Sequence, residues 1–324
     1  MNMCKKMSTL LKDKDYIFTP GIANPLQAMI VERVGFDFVY MGGYDTALVN
    51  LGLPDVGLIT ETEMVTNARN IARAVNIPVL ADADTGYGNA INVIQTVRDY
   101  EAAGVAGIHI EDQITPKRCG HLAGKMLIPI EEAVGKIRAA VDARKDKDFI
   151  IDARTDGITA VGGGLDEAVK RGKAYAEVGA DMVFCEFPSP GLDIELAKKF
   201  AKEMHKDFPN LTLHFNYAAS FKWHKFPVVK FSALAEMGYK LMHVSAVGFR
   251  STMKSLWDCA VDLKEREEQA EIDFEKGLIG HPMEDYHKFG GFPNIKELEK
   301  KYLPNEEVRK KYEETLGYGR DEKT

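Results

Sequence analysis

Long apolar runs and clusters of basic residues are both missing from this sequence of 324 residues. No apolar stretch approaches the roughly 20 residues that a membrane-spanning helix requires. The formal net charge is −7 at pH 7, the isoelectric point is near 5.7, and no basic run alternates with aromatic residues. These absences argue against a membrane span, a nucleic-acid partner and an anionic membrane surface. An anionic substrate would therefore need a local positive site.

Cysteine is also scarce, and its spacing does not suggest a disulfide framework. The cysteines are far apart, and no two of them form a CxxC pair. No secretory leader precedes them, so we expect a reducing, cytoplasmic location. The four cysteines are Cys4, Cys119, Cys185 and Cys259.

Short apolar runs recur about every 30 residues, and the segments between them show helical periodicity. Nearly every run stops at a polar residue. This alternation predicts repeated strand-helix units, and a chain that is 45% hydrophobic and 28% charged can bury one large core. The eight predicted strands are 16–18, 36–41, 77–81, 107–110, 149–151, 182–185, 211–215 and 241–244.

Eight parallel strands in a chain of this length predict a closed (β/α)8 TIM barrel, with its active site at the carboxyl ends of the strands. A doubly wound open sheet is the competing fold, but its binding crevice lies at one switch point and not around a ring. We predict a barrel domain over residues 1–275 and a helical tail over 276–324. Within them, we expect one long charged helix over 251–275 and another over 295–312. A helix that leaves the barrel can pack on a neighbour, which predicts an oligomer.

Acidic residues follow the third and fourth predicted strands. Asp82 and Asp84 lie two residues apart, so on an extended strand end their side chains point the same way and can share a cation. Glu111 and Asp112 add oxygen donors at the next strand end. An all-oxygen site of this kind favours Mg2+, or Mn2+, over zinc. The alternative is that these carboxylates only cap turns, which the second acidic pair makes less favourable.

The loop over residues 113–124 combines a cysteine with basic residues. It is bounded by a proline and glycines, which predicts a mobile lid. Lys117, Arg118 and a protonated His121 should favour the thiolate form of Cys119 and make it available for proton transfer. The alternatives are an inert apolar filler and a nucleophile, although the strand-helix elbow of hydrolases is missing.

Polar side chains also follow the later strands. Arg154 is suited to bind a substrate carboxylate through two parallel hydrogen bonds, although an ion pair that closes the barrel mouth is an alternative. Glu186 is placed to hold a metal-bound water or a substrate hydroxyl. Neutral donors able to hold a second carboxylate are Asn216, Ser220 and Ser245.

Three motifs in this sequence resemble the isocitrate lyase and phosphoenolpyruvate mutase superfamily, and isocitrate and 2-methylisocitrate lyases most closely. They are Lys-Arg-Cys-Gly-His at 117–121, Ala-Asp-Ala-Asp-Thr-Gly-Tyr-Gly at 81–88 and His-Ile-Glu-Asp-Gln at 109–113. The similarity extends from about Phe18 to Arg250. It implies a (β/α)8 barrel whose eighth helix is exchanged between subunits of a homodimer or homotetramer.

The resemblance also implies roles for individual residues. Mg2+ would be held by Asp82 and Asp84, partly through water, with Glu111 and Glu186 in its outer environment, and Glu111 is counted with the metal residues. Cys119 would donate a proton to the departing carbanion. The implied catalytic residues are Cys119, His121, Lys117, Arg154 and Glu186. The implied substrate-binding residues are Tyr40, Gly42, Gly43, Tyr44, Asp55, Gly120, Arg154, Asn216, Ser220, Ser245 and Arg250.

The implied reaction is cleavage of isocitrate or 2-methylisocitrate to succinate plus glyoxylate or pyruvate, so the partner is a small di- or tricarboxylate. Some positions depart from the resemblance, since Gly42 stands for a serine, and Ala218 and Ala219 stand for a serine and a proline. Phe184 is similar to methylisocitrate lyases, whereas Ser245 is closer to the threonine of isocitrate lyases. The substrate choice is therefore divided.

Other activities remain open. 2,3-Dimethylmalate lyases and oxaloacetate hydrolases share the Lys-Arg-Cys-Gly-His loop, which makes them the main alternatives. The mutases lack this loop, which argues against phosphonate chemistry. A non-catalytic metabolite-binding barrel is a third possibility, but it would require eroded metal and acid-base positions, and Asp82, Cys119 and Arg154 are all present.

Overall fold

Eight parallel strands form a closed barrel in the computed structural model, which describes residues 2–188 and 190–303. In chain order the strands are β1 (Ile17–Ile22), β2 (Val39–Met41), β3 (Val79–Asp82), β4 (Gly107–Glu111), β5 (Ile150–Thr155), β6 (Met182–Cys185), β7 (Thr212–Asn216) and β8 (Tyr239–Val244). Each strand pairs with the next along the chain, and β8 pairs with β1. The predicted barrel is therefore confirmed, and the open sheet is excluded.

Helices connect the strands of the barrel and continue along the chain beyond β8. They are α1 (Met3–Asp13), α2 (Pro25–Val34), α3 (Gly43–Thr46), α4 (Glu61–Ala74), α5 (Ala90–Ala103), α6 (Ile130–Ala143), α7 (Leu165–Glu177), α8 (Pro190–Asp207), α9 (Phe231–Glu236), α10 (Val247–Arg266), α11 (Glu268–Leu278), α12 (Tyr286–Phe289) and α13 (Phe292–Tyr302). Local sequence determines several of their ends. Thr60 and Glu63 form a capping box at the start of α4, and α5 ends at Gly104 with φ of 89°.

Apolar side chains close the amino end of the barrel. Ile17, Leu80 and Leu241 form a buried cluster there, and Met7 and Leu11 of α1 pack into it. Every residue of β3 is buried, as expected for a strand whose two faces contact the barrel interior and the surrounding helices. The carboxyl end of the barrel is therefore the end left for function.

The chain divides into two compact units, Met1–Thr252, which contains the barrel, and Met253–Thr324. The prediction of one helix over 251–275 is wrong, because α10 ends at Arg266 and α11 begins at Glu268. Glu267 between them has φ of 51°, a left-handed conformation that interrupts a helix.

The second charged helix predicted from the sequence, over 295–312, is present as α13 up to Tyr302. Its remainder, from residue 304, lies outside the described residues. The exchange of a helix between subunits, and with it the domain boundary at 275, stays a prediction. In the described part of the chain, no helix is long and apolar enough to cross a membrane.

Candidate active site

Charged side chains converge at the carboxyl end of the barrel because several neighbouring strands end on them. Asp82 and Glu111 are the last residues of β3 and β4, and Asn216 is the last residue of β7. Arg154 is the penultimate residue of β5, and Glu186 directly follows β6. All five are buried, so the charges of Asp82, Glu111, Arg154 and Glu186 are balanced mainly by protein groups and not by solvent.

Asp82 is the most tightly held carboxylate of this site. It accepts hydrogen bonds from the backbone N–H groups of Gly43 (2.9 Å) and Asp84 (2.8 Å), and its Oδ1 lies 3.1 Å from His109 Nε2. Burial alone would raise the pKa of Asp82, but His109, Lys117 and Arg154 hold it below its usual range. Asp82 is therefore ionised at neutral pH.

Lys117 links two further carboxylates. Its Nζ lies 2.5 Å from Asp55 Oδ1 and 2.7 Å from Asp84 Oδ1. Burial opposes its charge, yet Asp84, Glu111 and Asp55 raise the pKa of Lys117 well above the usual value. Lys117 is thus a fixed cation, and the structure does not favour proton donation by its ammonium group. Burial, together with Asp82 and Asp55, raises the pKa of Asp84 to about 6 in spite of Lys117.

The carboxylates suit a divalent cation because their negative charge exceeds the nearby positive charge. Neither oxygen of Glu111 has a hydrogen-bond partner among the described residues, although Arg154 Nε lies 3.3 Å from Oε2. Burial raises the pKa of Glu111 well above its usual range. Over residues 2–188 and 190–303, no group of three or more His, Cys, Asp or Glu side chains is arranged to hold a metal ion. Carboxylate oxygens are nevertheless the donors that Mg2+ prefers, and this ion commonly takes one or two protein carboxylates and several waters.

The loop that carries Cys119 forms a chain of polar contacts. Cys119 Sγ lies 3.8 Å from His121 Nδ1, and His121 Nε2 lies 3.2 Å from Glu186 Oε1. Burial would lower the pKa of His121, but Glu186 and Cys119 raise it to about 10. His121 lowers the pKa of Glu186 in return, against the effect of burial. The imidazole is therefore a cation near neutral pH, between a thiol and a carboxylate.

Arg154 is held by carboxylates on several sides. Its Nε lies 3.0 Å from Asp156 Oδ2, and its Nη2 lies 3.2 Å from Asp156 Oδ1 and 3.7 Å from Glu186 Oε2. The guanidinium carbon lies 5.0 Å from the centre of the Phe184 ring. Asn216 Nδ2 donates to Glu186 Oε2 at 3.1 Å. Both readings of Arg154 from the sequence, carboxylate binding and an ion pair at the barrel mouth, are compatible with this geometry.

Residues 42–44, which the resemblance implies bind substrate, have backbone N–H groups that are partly engaged within the protein. The N–H of Gly42 donates to the carbonyl of Ile22 at 3.3 Å, and that of Gly43 donates to Asp82. The reason is that α3 begins at Gly43, which turns this amide toward β3. A Cβ on Gly42 would lie 2.2 Å from Asp45 Oδ2, so the Asp45 carboxyl occupies the space where a side chain at position 42 would lie.

Other substrate-binding residues inferred from the sequence lie in varied surroundings. Tyr40 lies deeper in the barrel, where its hydroxyl is 3.3 Å from His109 Nδ1 and its ring stacks on His243 at 3.9 Å. Ser245 is half-buried. Ser220 and Arg250 are exposed, and no contact among the described residues joins them to the buried carboxylates.

Sequence reasoning missed several buried polar residues near the site. Asp156 pairs with Arg154, and Lys125 pairs with Asp156 at 2.7 Å. The signal was a charged residue two positions after Arg154 and a lysine at the end of the glycine-bounded loop. Inside the barrel, Asp152 Oδ2 lies 2.6 Å from His214 Nδ1, and His214 Nε2 lies 2.7 Å from His243 Nδ1. Polar residues inside apolar strands were the signal for this chain.

Comparison with known proteins agrees with the barrel and with the family that the sequence resembles. The family model described as phosphoenolpyruvate phosphomutase matches residues 7–264. Isocitrate lyase from Haloferax volcanii is 39% identical over 319 residues, which cover 98% of this chain and 91% of the relative. 2,3-Dimethylmalate lyase from Eubacterium barkeri is 40% identical over 302 residues, covering 93% and 99%. The structure of phosphonopyruvate hydrolase in complex with oxalate and Mg2+ matches with a TM-score of 0.76 at 27% identity, covering 94% of this chain and all of that one.

Proposed function

This chain belongs to the phosphoenolpyruvate mutase and isocitrate lyase superfamily and is an enzyme, and on that premise we propose a magnesium-dependent carbon-carbon lyase. Its substrate would be isocitrate or 2-methylisocitrate, and its products succinate plus glyoxylate or pyruvate. One observation carries the proposal, namely the chain of contacts from Cys119 through His121 to Glu186 beside the Arg154 guanidinium.

Asp82, Asp84 and Glu111 would hold Mg2+, or Mn2+ in its place. A cation held there would supply stabilisation of negative charge on the substrate hydroxyl oxygen, which becomes the carbonyl oxygen of the oxoacid. The Glu111 oxygens lack a hydrogen-bond partner among the described residues, and the pKa of Asp84 is raised. Both observations support this assignment, because they indicate carboxylates that an added cation would stabilise. Lys117 would keep Asp55 and Asp84 in place.

Cys119 would act as the acid. A base removes the proton of the substrate hydroxyl, the carbon-carbon bond breaks, and its electron pair remains on the succinate carbon. The thiol then gives its proton to that carbon and is left as a thiolate beside the His121 imidazolium. The positive charge of His121 stabilises this thiolate, and Glu186 keeps the imidazole protonated.

Arg154 would bind a substrate carboxylate or the developing oxyanion. Asp156 and Glu186 raise its pKa further, although burial opposes this, so the guanidinium remains charged at every working pH. Asp156 accepts hydrogen bonds from Nε and Nη2 of Arg154, and these two bonds fix the plane of the guanidinium. Neutral donors such as Asn216 and Ser245 would hold the succinate part without adding charge.

A homodimer or homotetramer is part of the same proposal. Large apolar side chains are exposed on α10, among them Leu256 (66%) and Trp257 (72%). Apolar residues of this size rarely stay exposed side by side on a monomer, so a partner surface is expected here. Light scattering of the purified protein measures the oligomeric state, and a stable monomer would contradict this part of the proposal.

The decisive experiment combines a substrate panel with a Cys119 variant. The protein is incubated with Mg2+ and each of isocitrate, 2-methylisocitrate and 2,3-dimethylmalate, and the oxoacid product is trapped as a hydrazone. With oxaloacetate, which is itself an oxoacid, the formation of oxalate is measured instead. We expect Cys119→Ser to lower kcat by about 1,000-fold while product binding stays close to intact, since a general acid contributes about 100- to 10,000-fold. Absence of product from every acid would contradict the lyase proposal, and an active Cys119→Ser variant would remove Cys119 as the acid.

A second candidate function is cleavage of 2,3-dimethylmalate. The observation that favours it is the 40% identity to 2,3-dimethylmalate lyase over 93% of this chain. A single methyl group separates isocitrate from 2-methylisocitrate, and a pocket discriminates such a difference by only about 10- to 200-fold. 2,3-Dimethylmalate differs more, because it lacks their third carboxylate. The ratio of kcat/KM values across the same panel decides it.

A further inference from the structure

Lys125 is a lysine whose side chain is completely buried, at the end of the loop that carries Cys119. A buried ammonium group is costly unless protein groups replace its water, and here two groups do so. Its Nζ lies 2.7 Å from Asp156 Oδ1 and also donates to the backbone carbonyl of Gly120. Lys125 therefore joins a residue next to Cys119 with the carboxylate that holds Arg154.

The Asp156 carboxylate accepts hydrogen bonds from two cationic side chains. Its Oδ2 accepts from Arg154 Nε at 3.0 Å, and its Oδ1 accepts from both Arg154 Nη2 (3.2 Å) and Lys125. Burial would raise the pKa of Asp156, but Arg154 and Lys125 hold it well below its usual range. The backbone N–H of Asp156 donates to Asp112 Oδ1 at 3.0 Å, so this end of the contact is anchored in the barrel.

The loop is anchored on both sides of Cys119. On one side, Gln113 accepts from the N–H of Arg118 at 3.0 Å and donates to its carbonyl at 2.9 Å. On the other side, Lys125 holds the carbonyl of Gly120. Gly120 itself packs closely on Arg154, since a Cβ there would lie 2.3 Å from Nη2. The backbone of Cys119 is thus fixed by a residue before it and a residue after it.

We propose that Lys125 is a positioning residue that keeps the Cys119 loop closed over Arg154, through its bonds to Gly120 and Asp156. The proposal rests on the proposed acid role of Cys119 for its effect on catalysis. Its structural part, the closed state of the loop, is independent of that role. When the ammonium group of Lys125 is removed, the carbonyl of Gly120 loses its hydrogen-bond donor. The Asp156 carboxylate then pairs with Arg154 alone.

The test measures both the exposure of Cys119 and turnover in a Cys259→Ser background. Cys4 and Cys185 are buried, whereas Cys259 is exposed, so Cys119 is then the accessible thiol among the four. We expect Lys125→Met to raise the rate of Cys119 alkylation by iodoacetamide about tenfold, as the loop opens more often. We expect kcat to fall by about 100-fold, because a displaced acid loses its alignment.

The matched control is Lys173→Met, which removes another lysine from an ion pair, with Asp207 at 2.6 Å on the outside of the barrel. It should leave alkylation and kcat unchanged. Unchanged alkylation in folded Lys125→Met would overturn the proposal, even if kcat falls. If wild-type protein shows no lyase activity but Lys125→Met still increases alkylation, the function of Cys119 fails and the role of Lys125 stands.

A second variant covers the case in which Lys125→Met does not fold. Lys125→Ala leaves room for a small amine, so propylammonium should slow Cys119 alkylation and restore part of kcat, whereas 1-propanol should do neither. The same protein, measured after the amine has been dialysed away, provides the comparison. Equal effects of propylammonium and 1-propanol would overturn the proposal, because they would show that volume and not the ammonium charge matters.

Discussion

Two groups of charged residues at the barrel mouth differ in how their charges are balanced. The acidic group contains five carboxylates and one lysine, whereas the paired group contains three cations and two carboxylates. In the acidic group the pKa values of Asp84 and Asp45 are raised to about 6 and about 7. In the paired group those of Glu186 and Asp156 are lowered. The acidic group is Asp45, Asp55, Asp82, Asp84, Glu111 and Lys117, and the paired group is Lys125, Arg154, Asp156, His121 and Glu186.

The difference indicates a division of work between the two groups. In the acidic group the pKa of Asp82 is lowered, whereas burial and neighbouring carboxylates raise the pKa values of Asp84 and Glu111 in spite of Lys117. These two carboxylates therefore gain most from an added cation. The paired group is ionised and internally bonded, so it needs no added cation and can present fixed charges to a substrate and to Cys119. Four predictions test this comparison.

The largest effect is expected from removal of the metal. EDTA should abolish turnover, and Mg2+ or Mn2+ should restore it and raise the melting temperature, because the ion binds only the folded state. Asp82→Asn should lower kcat by about 1,000-fold and remove the rise in melting temperature. Asp258→Asn, at an exposed carboxylate that pairs with Lys254, is the control. Full activity in EDTA would contradict the inference that the acidic group, unlike the paired group, gains from an added cation.

The next effect concerns the cation of the paired group. His121→Gln removes the positive charge beside Cys119 and should lower kcat by about 100-fold. The pKa of His121 is raised to about 10, so its charge is complete at neutral pH and is lost as the pH rises through that value. The kcat of the wild-type protein should therefore fall toward pH 10, and this fall should be missing from the variant. Stopped assays from pH 7 to pH 10.5 measure kcat of both proteins, and this range includes the raised His121 pKa of about 10.

A smaller effect is expected where Gly42 and Asp45 share space. Gly42→Ala places a Cβ 2.2 Å from Asp45 Oδ2 and should destabilise the fold by about 1–3 kcal/mol. Asp45→Ala in the same chain should recover most of that loss. Gly135→Ala in α6 is the control, since a Cβ there meets nothing within 4 Å and alanine favours a helix. Urea denaturation measures the wild type, the two single variants, the double variant and the control, and additive effects of the two substitutions would contradict the shared space.

The smallest effect is a pH dependence of stability that involves Asp45. Burial, with Asp82 and Asp55, raises the pKa of this carboxyl to about 7. Its contribution to stability is therefore complete below its usual pKa and is lost as the pH rises through about 7. In EDTA, the melting temperature of wild-type protein should fall more from pH 5 to pH 8 than that of Asp45→Asn. Here the pH limits bracket the raised value of about 7. An equal fall in both proteins would show that Asp45 does not titrate in this range.

Much of the barrel was predictable because its signals are local. Runs such as 77–81 and 107–110 alternate with helical segments, and their terminal carboxylates had to meet at one edge of a parallel barrel. The break between α10 and α11 was not predictable, since nothing in a run of good helix formers marks Glu267 as left-handed. The role of Asp45 was not predicted because it depends on the absence of a side chain at Gly42. The Asp45 carboxyl comes to lie in that space only in the folded turn.

The amino-acid sequence by itself determined the strand order, the acidic strand ends and the company of Cys119, because each depends on residues close together along the chain. Only the tertiary structure decided which charges pair. Lys117 meets Asp55 from a distant part of the chain, and Lys125 meets Asp156 across another strand and loop. Burial makes every such pairing costly to leave incomplete, so closure of the barrel selects the partners. The two lysines of this loop therefore differ in their partners. Lys117 balances carboxylates, whereas Lys125 holds Gly120 beside Cys119.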